Sequence, residues 1–244
     1  MMWVLTRELR GFRLTLPESS SGWSPCDRGG IMSVMAIGKT DPGAAPLTVE
    51  DLRRTPDDGR RYELVGGRLH VSPAPVFLHS RVESRLGFHL SNMAPVECEV
   101  ATGPGIDFNA DRTHHRVPDL VVIRAEDAES PYLTRPPLLA VEVVSPESVL
   151  RDHHTKRREY AAFGIASYWV VTPDPDEPSI IELRLKDGEY TEVAAAFGTD
   201  VLDTELPFPV RVVPQWLLST GGDWRRHIGG PKEAEDAKEP ESDT

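Results

Sequence analysis

The feature that most constrains this chain is the run Leu138-Leu139-Ala140-Val141-Glu142-Val143-Val144, six apolar residues enclosing one carboxylate. A short, nearly continuous apolar run reads as a strand buried on both faces, and so as the centre of a sheet. An ionised carboxylate in that setting is costly unless it is paired or holds a cation. The fold must therefore deliver a counter-charge to Glu142 from elsewhere in the chain.

Other segments supply the rest of an α/β (α+β) domain. Leu47 to Leu52 reads as a short helix capped by Thr48, with Asp51 three positions on in an acidic capping box. Tyr62–Val65 and Arg68–Val71 form a hairpin about Gly66-Gly67, ended by Pro73 and Pro75. From Phe77 to about Met93 the pattern is helical: Leu78, Val82, Leu86 and Leu90 recur every fourth residue beside a stripe of Phe77, Arg81, Arg85 and His89. Pro95 stops that helix. Strands are expected at 96–101, 105–109, 117–124 and 138–145, then a helix from about Ser148 to Phe163 closed by Gly164. A buried strand follows at Tyr168–Thr172, and a hairpin at 180–193 turns at Asp187-Gly188. Beyond it the signals are weaker, with Pro207 to Val210, Trp216 and Trp224 as markers. The order of elements predicts a mixed sheet flanked by helices.

The ends differ from this middle. Residues 1–45 carry Ser19-Ser20-Ser21, Gly29-Gly30 and Asp41-Pro42-Gly43 with little periodicity, and read as a disordered extension. Met32 and Met35 lie inside it as candidate start positions, which N-terminal sequencing checks. Residues 46–228 form the folded domain. Residues 229–244 form an acidic disordered tail, with six acids against two lysines from Pro231 on.

The net charge of −12 argues against a protein that grips nucleic acid by bulk electrostatics. Any DNA contact must be local or assisted by a bound cation. The two cysteines, Cys26 and Cys98, are not in a C-x-x-C spacing, so neither a zinc knuckle nor a disulfide framework is expected. Arg7, Glu8 and Arg10 interrupt the N-terminal apolar stretch, which makes a poor export signal, so a cytoplasmic location is the expectation. No apolar run is long enough to cross a membrane.

The chemistry concentrates in one constellation. Asp119 opens a strand in Val117-Pro118-Asp119-Leu120-Val121-Val122, and Glu142 sits within the next. Carboxylates from adjacent strands can share a divalent ion, and oxygen donors suit Mg²⁺ or Mn²⁺. Each acid also has a plainer reading: Asp119 as a turn residue after proline, Glu142 as an arginine's ion-pair partner. Residues 151–158 hold four basic side chains and one acid, a local basic patch in an acidic protein. On a helix, Asp152, Lys156 and Tyr160 share a face, so Lys156 could reach back toward the carboxylates. The alternative is a solvated face with an Asp152–Lys156 pair, worth little. Arg151 and Arg157 are candidate substrate contacts, and His79 is a candidate for a supporting role near the cleft. The adjacent pairs His114-His115 and His153-His154 point in different directions and match no zinc-ligand spacing. Tyr168 and Trp169 are expected in the core. There is no G-x-S-x-G, so a serine hydrolase finds no support.

Tyr62-Glu63-Leu64-Val65-x-Gly67-x-Leu69, His79, Pro118-Asp119-Leu120-Val121-Val122, Glu142-Val143-Val144-Ser145-Pro146, Asp152, Lys156, Tyr160, Gly164-Ile165 and Tyr168-Trp169-Val170-Val171 together resemble the Uma family of restriction endonucleases. That family belongs to the PD-(D/E)XK, restriction-endonuclease-like superfamily. The resemblance covers about Leu47 to Val193. It implies a central mixed sheet flanked by helices and a Mg²⁺-dependent phosphodiesterase site acting on DNA. By this resemblance Asp119 matches the motif's aspartate and Glu142 its second acid, with Glu63 as a third carboxylate for the metal. The motif's lysine would fall at Val144, where this sequence departs from the pattern, and Lys156 is the expected substitute. Nucleases of this type often act as dimers, so a homodimer is a further expectation. The rival expectation is a module that keeps the fold and has lost catalysis, since fold alone does not carry function.

Overall fold

A computed structural model of the chain describes residues 45–144 and 149–231, and for residues 149–153 the backbone only. Of the N-terminal extension it describes two antiparallel strand fragments, β1 (Glu8–Leu9) and β2 (Phe12–Arg13). The expectations of disorder for residues 1–45 and 229–244 fall almost wholly outside the described residues, as does Cys26. Cys98 is a free, partly buried thiol.

The domain begins at α1 (Val49–Leu52). The Thr48 N–H donates to the Asp51 carboxylate at 2.9 Å, the acidic cap anticipated from the sequence. The first hairpin, β3 (Arg61–Val65) with β4 (Arg68–Ser72), turns at Gly66 and Gly67, whose φ angles of 55° and 72° suit a two-residue turn matched to strand twist. Gly67 is doubly constrained, because a Cβ there would lie 2.3 Å from that of Pro46. With β6 (Ile106–Asp107) and β7 (His115–Arg116) this hairpin makes a four-stranded sheet in the order β4-β3-β7-β6. The strand expected at 105–109 is thus reduced to two residues.

A six-stranded sheet carries the core, in the order β12-β11-β10-β9-β8-β5. Its members are β5 (Cys98–Thr102), β8 (Leu120–Arg124), β9 (Leu139–Val143), β10 (Ser167–Thr172), β11 (Ser179–Lys186) and β12 (Glu189–Phe197). Every residue of β9 is buried, as the apolar run requires. It pairs antiparallel with β8 and parallel with β10. The parallel pairing needs a crossover, and α3 (Val149–Phe163) supplies it. Gly164, at φ 96°, ends α3. At the sheet edge β12 runs past Val193 to Phe197, because β11 gives it a partner as far as Ser179.

Alternation along the strands divides the two faces. Leu139, Val141 and Val143 lie with Leu120 and Val122 in one core, against Val82, Leu86 and Leu90 of α2 (Phe77–Met93). The weakly signalled C-terminal segment closes that core: β13 (Leu202–Thr204), β14 (Val210–Val212), α4 (Pro214–Leu218) and α5 (Trp224–His227). The polar stripe of α2 fastens it. Arg81 donates to Leu218 O at 3.0 Å, Arg85 to Ser219 O at 2.7 Å, and His89 Nε2 lies 2.8 Å from Arg211 O. These arginines satisfy carbonyls that the end of α4 leaves without helical partners. On the other face, Ala140 packs with Tyr160, Ile165 and Tyr168, and Val121 with Ile106. Tyr168 and Trp169 are fully buried, as expected.

Candidate active site

The β8–β9 register pairs Leu120 with Val141, so one step further along places Asp119 opposite Glu142. Glu142 points to the α3 side of the sheet, where Lys156 and Tyr160 meet it. Both are buried, Asp119 to 1% exposure and Glu142 to 5%. Asp119 is anchored where β8 begins, its Oδ2 accepting the Val143 N–H at 2.7 Å.

The required counter-charges arrive from four further elements, α3, β7, β3 and α2. Lys156 Nζ on α3 lies 2.7 Å from Glu142 Oε1 and 3.7 Å from Glu63 Oε1. One helical turn on, the Tyr160 hydroxyl donates to the same Glu142 oxygen at 2.5 Å. Lys156 is therefore not on a solvated helix face. Glu63 enters from β3, accepting the Val117 N–H at 3.0 Å and an Arg116 N–H at 3.0 Å. Arg116 forks onward to Glu159 at 2.8 and 3.0 Å, and His114 Nε2 stands 3.3 Å from Glu159. On the Asp119 side, Arg61 Nη1 lies 2.6 Å from Oδ1, and His79 Nε2 lies 3.3 Å from Oδ2.

These contacts set the ionisation. Burial opposes the charged form of Asp119, but His79, Arg61 and Lys156 outweigh it and hold its carboxyl well below the ordinary range. Burial likewise opposes Glu63, yet Lys156, Arg116 and the Val117 N–H bring it down to about 2. Glu142 moves the other way: burial, with Asp119 and Glu63 beside it, outweighs Lys156 and raises it. Lys156 is raised despite burial, by Glu142 and Glu63, so it stays an ammonium. Of the three carboxylates Asp119, Glu63 and Glu142, only Glu142 is shifted upward.

All four expected catalytic residues, Asp119, Glu142, Glu63 and Lys156, meet at one end of β8 and β9. His79 joins them from the start of α2. Arg157 turns away, its guanidinium bonded to Tyr190 O on β12. The side chain of Arg151 lies outside the described residues. His115 faces away from His114, with its Nδ1 2.6 Å from buried Asp107. Sequence reasoning passed over Arg61, Arg116, Glu83 and Glu159. The His79/Glu83 spacing of four on a helix was a readable signal, whereas Arg116 meets Glu63 across 53 positions and gave none.

The donor set suits a hard divalent cation. Ligand atoms of His79, Glu83 and Asp119 lie within 4.8 Å of one another. Asp119 Oδ1 is buried and has no hydrogen-bond partner among the described residues. Such an oxygen, beside further carboxylates and an imidazole, fits Mg²⁺ or Mn²⁺.

The architecture defines the class first. A crystal structure from Anabaena variabilis ATCC 29413, described as "a putative nuclease belonging to DUF820", has a TM-score of 0.53 and 16% identity, over 73% of this chain and 99% of that chain. This is the α+β, restriction-endonuclease-like fold. Residues 49–219 match the Uma2 family, described as "Putative restriction endonuclease", and the chain belongs to that family. No curated protein matches it. No described helix is long and apolar enough to cross a membrane.

Proposed function

We propose that the chain is a divalent-metal-dependent endonuclease that hydrolyses phosphodiester bonds of DNA. The observation that carries this reading is the meeting of Asp119, Glu142, Glu63 and Lys156 at one end of two adjacent strands. Family membership supports the nuclease class. Asp119 would hold Mg²⁺ or Mn²⁺ with His79 and Glu83, whose ligand atoms lie within 4.8 Å of one another, and Glu142 and Glu63 are the further carboxylates of the cluster. When bound, the ion would lower the pKa of a coordinated water and polarise the phosphate.

The chain's own groups do the rest. Lys156, kept protonated, is a poor general base and a good electrostatic partner for charge developing on the phosphate. Tyr160 and Lys156 both bond Glu142 Oε1 and fix that carboxylate's orientation. Glu142, with its raised pKa, is suited to accept a proton from an attacking water. Lys156 thus takes the part of the lysine that Val144 cannot supply. Val144 and the net charge of −12 favour a second reading, a nucleic-acid-binding or protein-interaction module without catalysis.

The test is Mg²⁺- or Mn²⁺-dependent cleavage of supercoiled plasmid by the purified chain, beside Asp119→Asn and Glu142→Gln. Cleavage by the parent and its loss in both variants is the expected result. Equal activity in all three removes the assignment. DNA binding that ignores metal, with no cleavage, favours the module.

A further inference from the structure

Three cations serve the acidic cluster, and they are not held alike. Arg116 is fixed by directed hydrogen bonds to Glu63 and Glu159, and its side chain is 5% exposed. Lys156 bonds Glu142 at 2.7 Å. Arg61 is the most open of the three, with 24% of its side chain exposed at the start of β3. Its Nη1 stands 2.6 Å from Asp119 Oδ1, and no other donor reaches that oxygen among the described residues. The contact is a short charge-assisted one made by the most open cation of the cluster. The same guanidinium is attracted by Glu142 and Glu63 as well as by Asp119.

Asp119 Oδ2 already accepts the Val143 N–H, so Oδ1, the oxygen that Arg61 covers, is the one left for a metal ion at Asp119. A divalent ion and a guanidinium cannot share it, because they repel each other and need the same lone pairs. Once displaced, Arg61 sits on a flexible stem at the partly open edge of the cluster. Its planar fork matches a phosphodiester's two free oxygens. Without metal, a phosphate approaching this cluster meets mainly carboxylates. With metal, it meets the ion, Lys156 and a released arginine.

We propose that Arg61 is a substrate-phosphate ligand parked on Asp119 Oδ1 until a divalent ion takes that oxygen. This rests on the metal-site reading above. It makes metal and nucleic acid bind cooperatively through one side chain, while Arg61 holds down the affinity for metal alone. A site that is competent only when its arginine has left binds more weakly by the fraction of time it is free.

The test uses the full chain with two readouts that need no turnover. Loss of the free Mn²⁺ paramagnetic resonance signal measures metal binding in the absence of nucleic acid. Fluorescence anisotropy of a labelled DNA duplex in Ca²⁺ measures substrate binding. Arg61→Met is expected to bind Mn²⁺ about tenfold more tightly and the duplex about tenfold more weakly. Arg61→Lys keeps Asp119 compensated, and so keeps the fold should Arg61→Met lose it. It is expected to leave Mn²⁺ affinity within about twofold and to weaken duplex binding several-fold, since an ammonium lacks the fork. Unchanged Mn²⁺ affinity in Arg61→Met, or unchanged duplex binding in either variant, overturns the proposal. Asp119→Asn separates the two layers. If it binds Mn²⁺ like the parent, the metal-site reading itself fails. If it loses Mn²⁺ while Arg61→Met matches the parent, only the role of Arg61 fails.

Discussion

Glu142 on β9 and Glu182 on β11 are both buried acids in apolar strands of the same sheet, and by local sequence they look much alike. Their surroundings differ. Glu182 takes its cation from its own strand: Arg184, two residues along, donates at 2.9 Å, and Thr204 donates at 3.1 Å. Ser167 approaches at 3.4 Å, and the other oxygen, Oε2, has no hydrogen-bond partner among the described residues. Glu142 stands opposite Asp119, shares Lys156 with Glu63, and is bonded by Tyr160. A buried carboxylate in a strand therefore says little by itself. Several acids brought from separate elements to one point, held there by cations from others, is what marks a site. Such clusters are expensive to assemble, and catalysis is a reason to keep one.

The largest effect expected to separate the two acids is catalytic. Glu142→Gln should lower metal-dependent plasmid cleavage by about a thousandfold, roughly 4 kcal/mol of barrier, while Glu182→Gln stays within about twofold. A comparable loss in Glu182→Gln would break the contrast.

Next is the cost of removing the counter-charge. Lys156→Met should destabilise the domain by about 3–5 kcal/mol in urea unfolding, because it leaves Glu142 and Glu63 facing each other without their shared ammonium. Arg184→Met should cost about half as much, since the Thr204 and Ser167 hydroxyls still reach Glu182.

Acid sensitivity sharpens the picture at Glu63. Its carboxyl is lowered from 4.5 to about 2, so the ionised form stabilises the fold. That contribution, about 3 kcal/mol at most, is complete above pH 4.5 and is lost as pH falls through about 2. Unfolding free energies at a series of acid pH values should show the decline in the parent and a flatter profile in Glu63→Gln. Matching profiles would show that Glu63 is not held ionised by Lys156 and Arg116.

The smallest effect is on stability at Glu182 itself. Glu182→Gln keeps shape and removes a buried charge, so its change should stay within about 1 kcal/mol of zero. A loss several times larger would give Glu182 a hidden partner and narrow the difference from Glu142.

Much of this site was legible before any coordinates. The nearly unbroken apolar run located β9, the four-residue spacing located α2 and Gly164 marked the end of α3, and Glu142 advertised itself because nothing near it in sequence could neutralise it. Lys156 and Tyr160 stood one helical turn apart, on one face. The partners of Arg61 and Arg116 were not legible, since neither arginine differs locally from any polar residue beside a strand. The C-terminal elements were faint for a related reason: β13, β14 and α4 are short, and they hold together through Arg81, Arg85 and His89 of a distant helix.

By itself, the sequence determined which segments are strand or helix, which face of each is apolar, and which acids are too costly to bury alone, because these depend on periodicities of a few residues. Only the tertiary structure decided which cation meets which acid. Those pairings join residues up to 93 positions apart, Lys156 with Glu63, and a charge acts through space over a few ångströms regardless of the length of chain between.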